Sequence, residues 1–296
     1  MNVRAATAES ARSVSRDFLE LTKPRLTLFV LIVVCLCAWL AFPGRVDFWT
    51  LFHAVLGAGL VGGGASALNQ YLERDQDARM RRTRNRPLPA GRVQPWEAIV
   101  FGSLLGIVGM TELAVFTTPL AAVLAALTLI SYVGIYTPLK RVTTLNTHIG
   151  AISGALPALI GWAAATGSLD IVAWAIFLVV YLWQIPHFLA IAWIYKDDYL
   201  RGGFQMLPLT DPGGRITGRQ SVLGALALIP VSLLPSMADR AGALYFAGAI
   251  LLGLLFVRRA VAFALRPDGN TARLLMRGSL LYLPALLTLL CIDWIG

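Results

Sequence analysis

Apolar residues fall along this chain in long blocks separated by short polar connections. Nine largely uncharged stretches stand out, at about 26–42, 50–70, 96–114, 118–137, 147–166, 170–194, 221–238, 241–258 and 278–295. Each is close to the length of about 17 to 25 residues that crosses a hydrocarbon layer as a helix. Because that layer offers no water to backbone N–H and C=O groups, the pattern predicts helices that satisfy them internally. The expected fold is an all-α, polytopic membrane helical bundle of nine transmembrane helices. A cytosolic N-terminal arm is expected over 1–25 and a single integral-membrane domain over 26–296. The connection "VFTTP" after the third stretch is tight, and Pro186 is expected to bend the sixth. The run "GAGLVGGGAS" before Asn69 admits close approach of a neighbouring helix or of a ligand.

Composition agrees with a membrane solvent, with 57% apolar and only 14% charged residues. Charge then sets the expected orientation. Of the 25 Lys and Arg residues, 23 fall in the arm or in the connections on one side, leaving Arg45 and Arg240 for the other. By the positive-inside rule the N-terminus is cytoplasmic and the C-terminus lies on the outer side. The net charge of +9 is thereby explained by topology and by attraction to the anionic lipid bilayer, with no nucleic acid partner. The first 25 residues have no apolar core of a secretory signal. Cys35, Cys37 and Cys291 lie within apolar stretches and read as small packing residues.

The chemistry-bearing residues gather at the cytosolic ends. In "NQYLERDQDARMRRTRNRPLPAGR" (69–92), Asn69, Glu73 and Asp77 share one helical face at four-residue steps of about 6 Å, if the second helix continues that far. Arg82 and Arg86 repeat the step before Pro87 ends it. Two readings are open: a solvated, salt-bridged helix end, or a site where oxygen ligands hold Mg²⁺ and guanidinium groups bind a diphosphate. A second cluster, "IYKDDYLRGGFQMLPL", carries Tyr195, Lys196, Asp197, Asp198, Tyr199 and Arg201 on the same membrane side. Spacing puts Gln184, His187 and Asp198 on one face of a continuous sixth helix, with His187 about 16 Å deeper than Asp198. A histidine inside a bundle is either a functional group or a neutral imidazole bonded to a neighbouring helix. His148 sits near the inner end of the fifth stretch, and His53, near the outer surface, is assigned no role.

"NQYLERDQDARMRRTRNRPL" resembles the first signature of the UbiA superfamily of intramembrane prenyltransferases, an Asn followed by two acids at four-residue steps and an Arg-Thr-x-x-Arg-Pro-Leu run. "YTPLKR" (136–141), "GALPALIGW" (154–162), "WQIPHF" (183–188) and "YKDDY" (195–199) are similar to its haem-modifying branch. The likeness extends from "TKPRLT" to the last stretch. Two positions depart from the superfamily pattern. Glu73 stands where Asp is usual, and Tyr195 and Tyr199 replace the second Asp-x-x-x-Asp of quinone-type relatives.

The resemblance implies farnesyl diphosphate and haem b as substrates, Mg²⁺ as cofactor, and a downstream haem-modifying enzyme that uses the product. It implies a bacterial cytoplasmic (inner) membrane with the active site facing the cytoplasm. Expected metal ligands are Asn69, Glu73, Asp77 and Asp198; diphosphate ligands are Arg82, Arg86, Lys140, Arg141 and Lys196. The expected catalytic set is Asn69, Glu73, Asp77, His187, Asp197 and Asp198, and haem contacts are His187, His148, Gln184, Tyr195 and Tyr199. Rival readings are a prenyltransferase acting on a quinone precursor or another tetrapyrrole, a transporter gated by its inner loops, and a non-catalytic haem-binding assembly protein.

Overall fold

Helical backbone dominates the computed structural model, which describes residues 14–41 and 47–295. Arg4, Arg12 and Arg45, counted in the charge partition, lie outside the described residues. In chain order the helices are α1 (14–21), α2 (Pro24–Ala41), α3 (Phe48–Asp77), α4 (Pro95–Phe116) and α5 (Pro119–Leu129). A π-helical segment, Ile130–Tyr136, leads into α6 (Thr137–Leu139). Then come α7 (Asn146–Thr166), α8 (Ile171–Ile194), α9 (Lys196–Gly202), α10 (Leu207–Thr210), α11 (Arg215–Ser232), α12 (Leu234–Met237), α13 (Ala243–Leu265) and α14 (Gly269–Ile292). Among the described residues nine helices are long and apolar enough to cross a membrane, one for each apolar stretch of the sequence. Among the described residues, extended pairing is limited to an isolated bridge between Ala241 and Trp294.

The ends follow local chemistry. Asp47 caps α3 through the Thr50 N–H, Thr118 caps α5, Asp170 caps α8 and Asp268 caps α14, each supplying a side-chain oxygen to orphan donors of the first turn. Pro24, Pro95 and Pro119 open their helices where no N–H partner is needed.

The bundle has two lobes joined by its most buried helices. In each of α7 and α8 the most apolar window is 67% buried, against 22% for α4, so these two form the centre. Helix α7 packs on α2, α5 and α8, while α8 also packs on α11 and α14. Part of the glycine run serves helix packing: Gly64 approaches Gly102 of α4 so closely that a Cβ would lie 2.5 Å from the Gly102 carbonyl oxygen. The described part of the N-terminal arm is packed rather than free. Leu21 is fully buried beside Ala67, Leu88, Val93 and Ala98, and Phe18 meets Phe101 edge-on at 5.0 Å.

The structure differs from the sequence reading in three ways. Helix α3 stops at Asp77, and residues 78–92 fold as successive turns, so Arg82 and Arg86 do not extend the helical face. Tertiary partners take the groups a helix would need: Thr83 Oγ1 bonds the Asp77 carbonyl, and Asp198 accepts the N–H groups of Arg81 and Arg82. Helix α8 ends at Ile194, and Tyr195 (φ −108, ψ 22) breaks the run into α9, so Gln184, His187 and Asp198 share no continuous face. The C-terminal end of the fourth span is a π turn. Pro138 brings no N–H to the Gly134 carbonyl, and both the N–H and the hydroxyl of Thr137 reach back to the Tyr132 carbonyl.

Candidate active site

Glu73 and Asp77 of α3 are buried and each faces a cation. Asn69, Glu73 and Asp77 are 1%, 4% and 0% exposed on a single helix at four-residue steps. Lys140 Nζ donates to Glu73 Oε1 at 2.7 Å, and Arg86 Nη1 to Asp77 Oδ2 at 2.6 Å. Lys23 Nζ donates to Asn69 Oδ1 at 2.7 Å, while Asn69 Nδ2 donates to Thr137 Oγ1 at 3.0 Å. Burial on this scale rules out the solvated helix end, because desolvating two carboxylates is tolerated only where opposite charge compensates.

The π turn sets the opposite wall. It carries Tyr136 and Thr137 toward α3 and leads to Lys140, whose Nζ lies 4.5 Å from the Tyr136 ring centre and 5.7 Å from that of Phe204. Gly150 makes room for Tyr136, since a Cβ there would sit 2.6 Å from the ring. The two lysines are held differently. Burial works against the charged form of Lys140, yet Glu73, with Tyr136 beside it, more than offsets this and raises its pKa well above the usual lysine value. At Lys23 burial, followed by repulsion from Arg86, outweighs the pull of Glu73, and its pKa is lowered to about 7.

Lys23 was not singled out from sequence. It occupies a left-handed conformation, φ 49, between α1 and α2, a cost that persists only when the surroundings impose it. Those surroundings are visible. Gln70 Nε2 donates to the Leu21 carbonyl at 2.8 Å, and Arg92 ties the arm to the 78–92 turns through Asp17 Oδ1 at 2.8 Å and the Asn85 carbonyl at 3.1 Å. Thr22 and Pro24, its neighbours, border an apolar groove of about 790 Å³ between α2 and α3, lined further along by Leu31, Phe52 and Gly59.

The other expected residues are distributed as follows. Arg141 donates to the Leu72 carbonyl and to Gln76 Oε1 at 3.0 Å, beside the acids but occupied by backbone. Asp198 receives the N–H of Arg81 at 3.2 Å, that of Arg82 at 3.4 Å, and the Arg201 guanidinium; Arg201 first, with the two N–H groups, lowers its pKa. Arg82 stands over the rings of Tyr195 and Tyr199. Asp197 and Lys196 are exposed, the lysine lying over Trp193 at 5.1 Å.

Deeper in the bundle, His187 Nδ1 is 2.7 Å from Ser279 Oγ of α14. Ser279 spends its hydroxyl proton on the Met276 carbonyl at 2.6 Å, so Nδ1 is the donor and Nε2 keeps a free lone pair. The ring stacks on Trp183 at 4.9 Å, and Trp183 Nε1 in turn donates to the Ser279 carbonyl. Gln184 turns to the other side, donating to the Ala151 and Val180 carbonyls, which makes it a pin between α7 and α8. His148 faces Gln220 of α11 at 3.4 Å. His53 pairs with Glu112 at 2.6 Å near the far end of the bundle.

Among the described residues no three His, Cys, Asp or Glu side chains gather around one point. The oxygen set on α3 nevertheless fits a hard divalent ion. Asp77 Oδ1 is buried with no partner, one helical turn beyond Glu73 and two beyond Asn69 on the same face, and such a set of oxygens suits Mg²⁺ sharing its coordination with phosphate.

Fold and site together define an integral-membrane helical protein with a rim of buried carboxylates paired to lysine and arginine. Residues 30–282 match the model of the UbiA prenyltransferase family, and the chain belongs to that family. Protoheme IX farnesyltransferase from Solibacter usitatus (strain Ellin6076) is 45% identical over 287 residues, 94% of this chain and 98% of that one. Among solved structures, one of digeranylgeranylglyceryl phosphate synthase superposes with a TM-score of 0.81 at 16% identity, over 95% of this chain and 98% of that one. A UbiA homologue from Archaeoglobus fulgidus, bound to DMAPP and Mg²⁺, superposes with a TM-score of 0.68 at 13% identity, over 93% and 99%. These two likenesses establish the fold.

Proposed function

We propose that the protein transfers the farnesyl group of farnesyl diphosphate to the 2-vinyl group of haem b, with addition of water, to give haem O. It works in the bacterial cytoplasmic membrane with the rim toward the cytoplasm, and its product passes to a downstream haem-modifying enzyme. The reading rests on the buried Asn69, Glu73 and Asp77 ladder with its three facing cations and the unpaired Asp77 Oδ1. The name of the Solibacter relative supports the choice of substrates.

Mg²⁺ held by Asn69, Glu73 and Asp77 would neutralise charge on the diphosphate as its bond to the prenyl chain lengthens. Lys23, Lys140, Arg82 and Arg86 bind the diphosphate oxygens, and their fixed placement favours the charge that develops on the leaving group. Departure of diphosphate leaves an allylic cation. The vinyl carbon attacks it, and the tetrapyrrole carbocation formed takes up water and loses a proton. The apolar walls keep water from the allylic cation before that attack. His187, with its Nε2 lone pair, binds and orients haem b through the iron.

Purified protein given farnesyl diphosphate, Mg²⁺ and haem b should yield a heavier, more hydrophobic haem by mass spectrometry. Asp77→Asn should abolish that product while the protein stays folded in the membrane. Retained turnover in Asp77→Asn would refute the metal assignment. Unchanged haem with the wild type, alongside an intact haem spectrum, would favour a non-catalytic haem-binding protein.

A further inference from the structure

Arg82 is held in an unusual way for a cation at this rim. Arg86 spends a donor on Asp77, Lys140 on Glu73 and Arg92 on Asp17. The Arg82 guanidinium instead lies 5.1 Å from the Tyr195 ring centre and 5.9 Å from that of Tyr199. Ring faces attract the cation while leaving the in-plane N–H donors unspent, whereas a carboxylate would consume two of them. The loop carrying Arg82 is fixed from the same element. Asp198 accepts the N–H groups of Arg81 and Arg82 and is itself anchored by Arg201. Just before, Met80 is 2% exposed in a cluster with Ala192, Phe204 and Met206. Both carboxylate oxygens of Asp198 thus face protein donors.

We propose that Tyr195, Tyr199 and Asp198 are positioning residues, a brace from α9 that locks the 80–83 turn and presents Arg82 with its donors free for phosphate oxygens. They contact neither the divalent ion nor the haem. The proposal rests on the diphosphate-binding reading of this rim, so its test uses inorganic diphosphate with Mg²⁺, which needs no turnover.

The variants are Tyr195→Leu/Tyr199→Leu, Tyr195→Phe/Tyr199→Phe and Asp198→Asn, with Asp77→Asn for comparison, in the full chain in detergent. Calorimetry reads diphosphate affinity, electron paramagnetic resonance counts bound Mn²⁺, and a titration reads haem b affinity. The leucine pair should weaken diphosphate binding roughly tenfold, and the phenylalanine pair should hold it within about twofold because the ring face is kept. Asp198→Asn should weaken diphosphate binding and, at saturating diphosphate, leave the Mn²⁺ count as in the wild type, while Asp77→Asn lowers that count. Loss of Mn²⁺ in Asp198→Asn would make Asp198 a metal ligand and overturn the brace. Weakened haem b binding with unchanged diphosphate binding would overturn it in favour of haem contact, as would wild-type affinities throughout the leucine pair. Should the leucine pair not fold, Tyr199→Leu alone carries the same comparison. Absence of diphosphate binding in the wild type would sink the underlying reading, an outcome distinct from every variant difference.

Discussion

Glu73 and Asp77 were legible as candidates from their spacing, since two acids and an amide at four-residue steps can only share a face if helical. Lys140 and Arg86 were named as diphosphate ligands, but their pairing with these acids was not legible. Lys23 and Lys140 come from 46 and 67 residues away, and Lys23 reaches Asn69 only through a left-handed backbone that the sequence does not announce. Lys140→Met strands a buried carboxylate and should cost about 3 kcal/mol of stability, read as a fall in melting temperature. Ser279 was likewise invisible beforehand, although it fixes which nitrogen of His187 is bare. His187→Ala should abolish the haem b absorption shift on binding. Ser279→Ala, which removes the acceptor for Nδ1, should weaken haem b affinity about fivefold, the loss of one buried hydrogen bond.

At the scale of elements, hydropathy located all nine spans, because each must satisfy its own backbone in hydrocarbon. Their ends at the rim that carries the acids were less legible, for there tertiary partners compete with the helix. The turn after Asp77 is held by Thr83 and Asp198, and the break at Tyr195 separates α8 from the brace. The π turn has a sequence cause, Pro138, that periodicity does not register. Pro138→Ala returns a donor to the Gly134 carbonyl and should tighten 130–136 toward ordinary helix, swinging Tyr136 and Lys140 away from α3. Turnover should fall by about 10- to 100-fold, as expected for a displacement near 1 Å, with melting temperature unchanged or higher. A similar turnover in Pro138→Ala would show that the bulge does not set the site.

For the whole molecule, the partition of 23 of 25 basic residues predicts sidedness. A cysteine at Thr144 should react with a membrane-impermeant maleimide only from the cytoplasmic side, and one at Ser168 only from the outer side, in a background lacking the three native cysteines. The arm is part of the same assembly. Arg92→Ala cuts its tie to Asp17, and the prediction is faster proteolysis near residue 17 together with a raised KM for farnesyl diphosphate at nearly constant kcat.

The Glu73–Lys140 and Asp77–Arg86 pairs also bear on ligand order. With the acids already neutralised, a bare metal ion must displace lysine and arginine, and a bare diphosphate must pull them off their carboxylates, so either ligand alone strands charge in a dry place. On the proposed function, the ion would take the carboxylates as the diphosphate takes the released cations. Each should then tighten the other's binding by the same factor, and the rim would act as a coincidence detector for the pair.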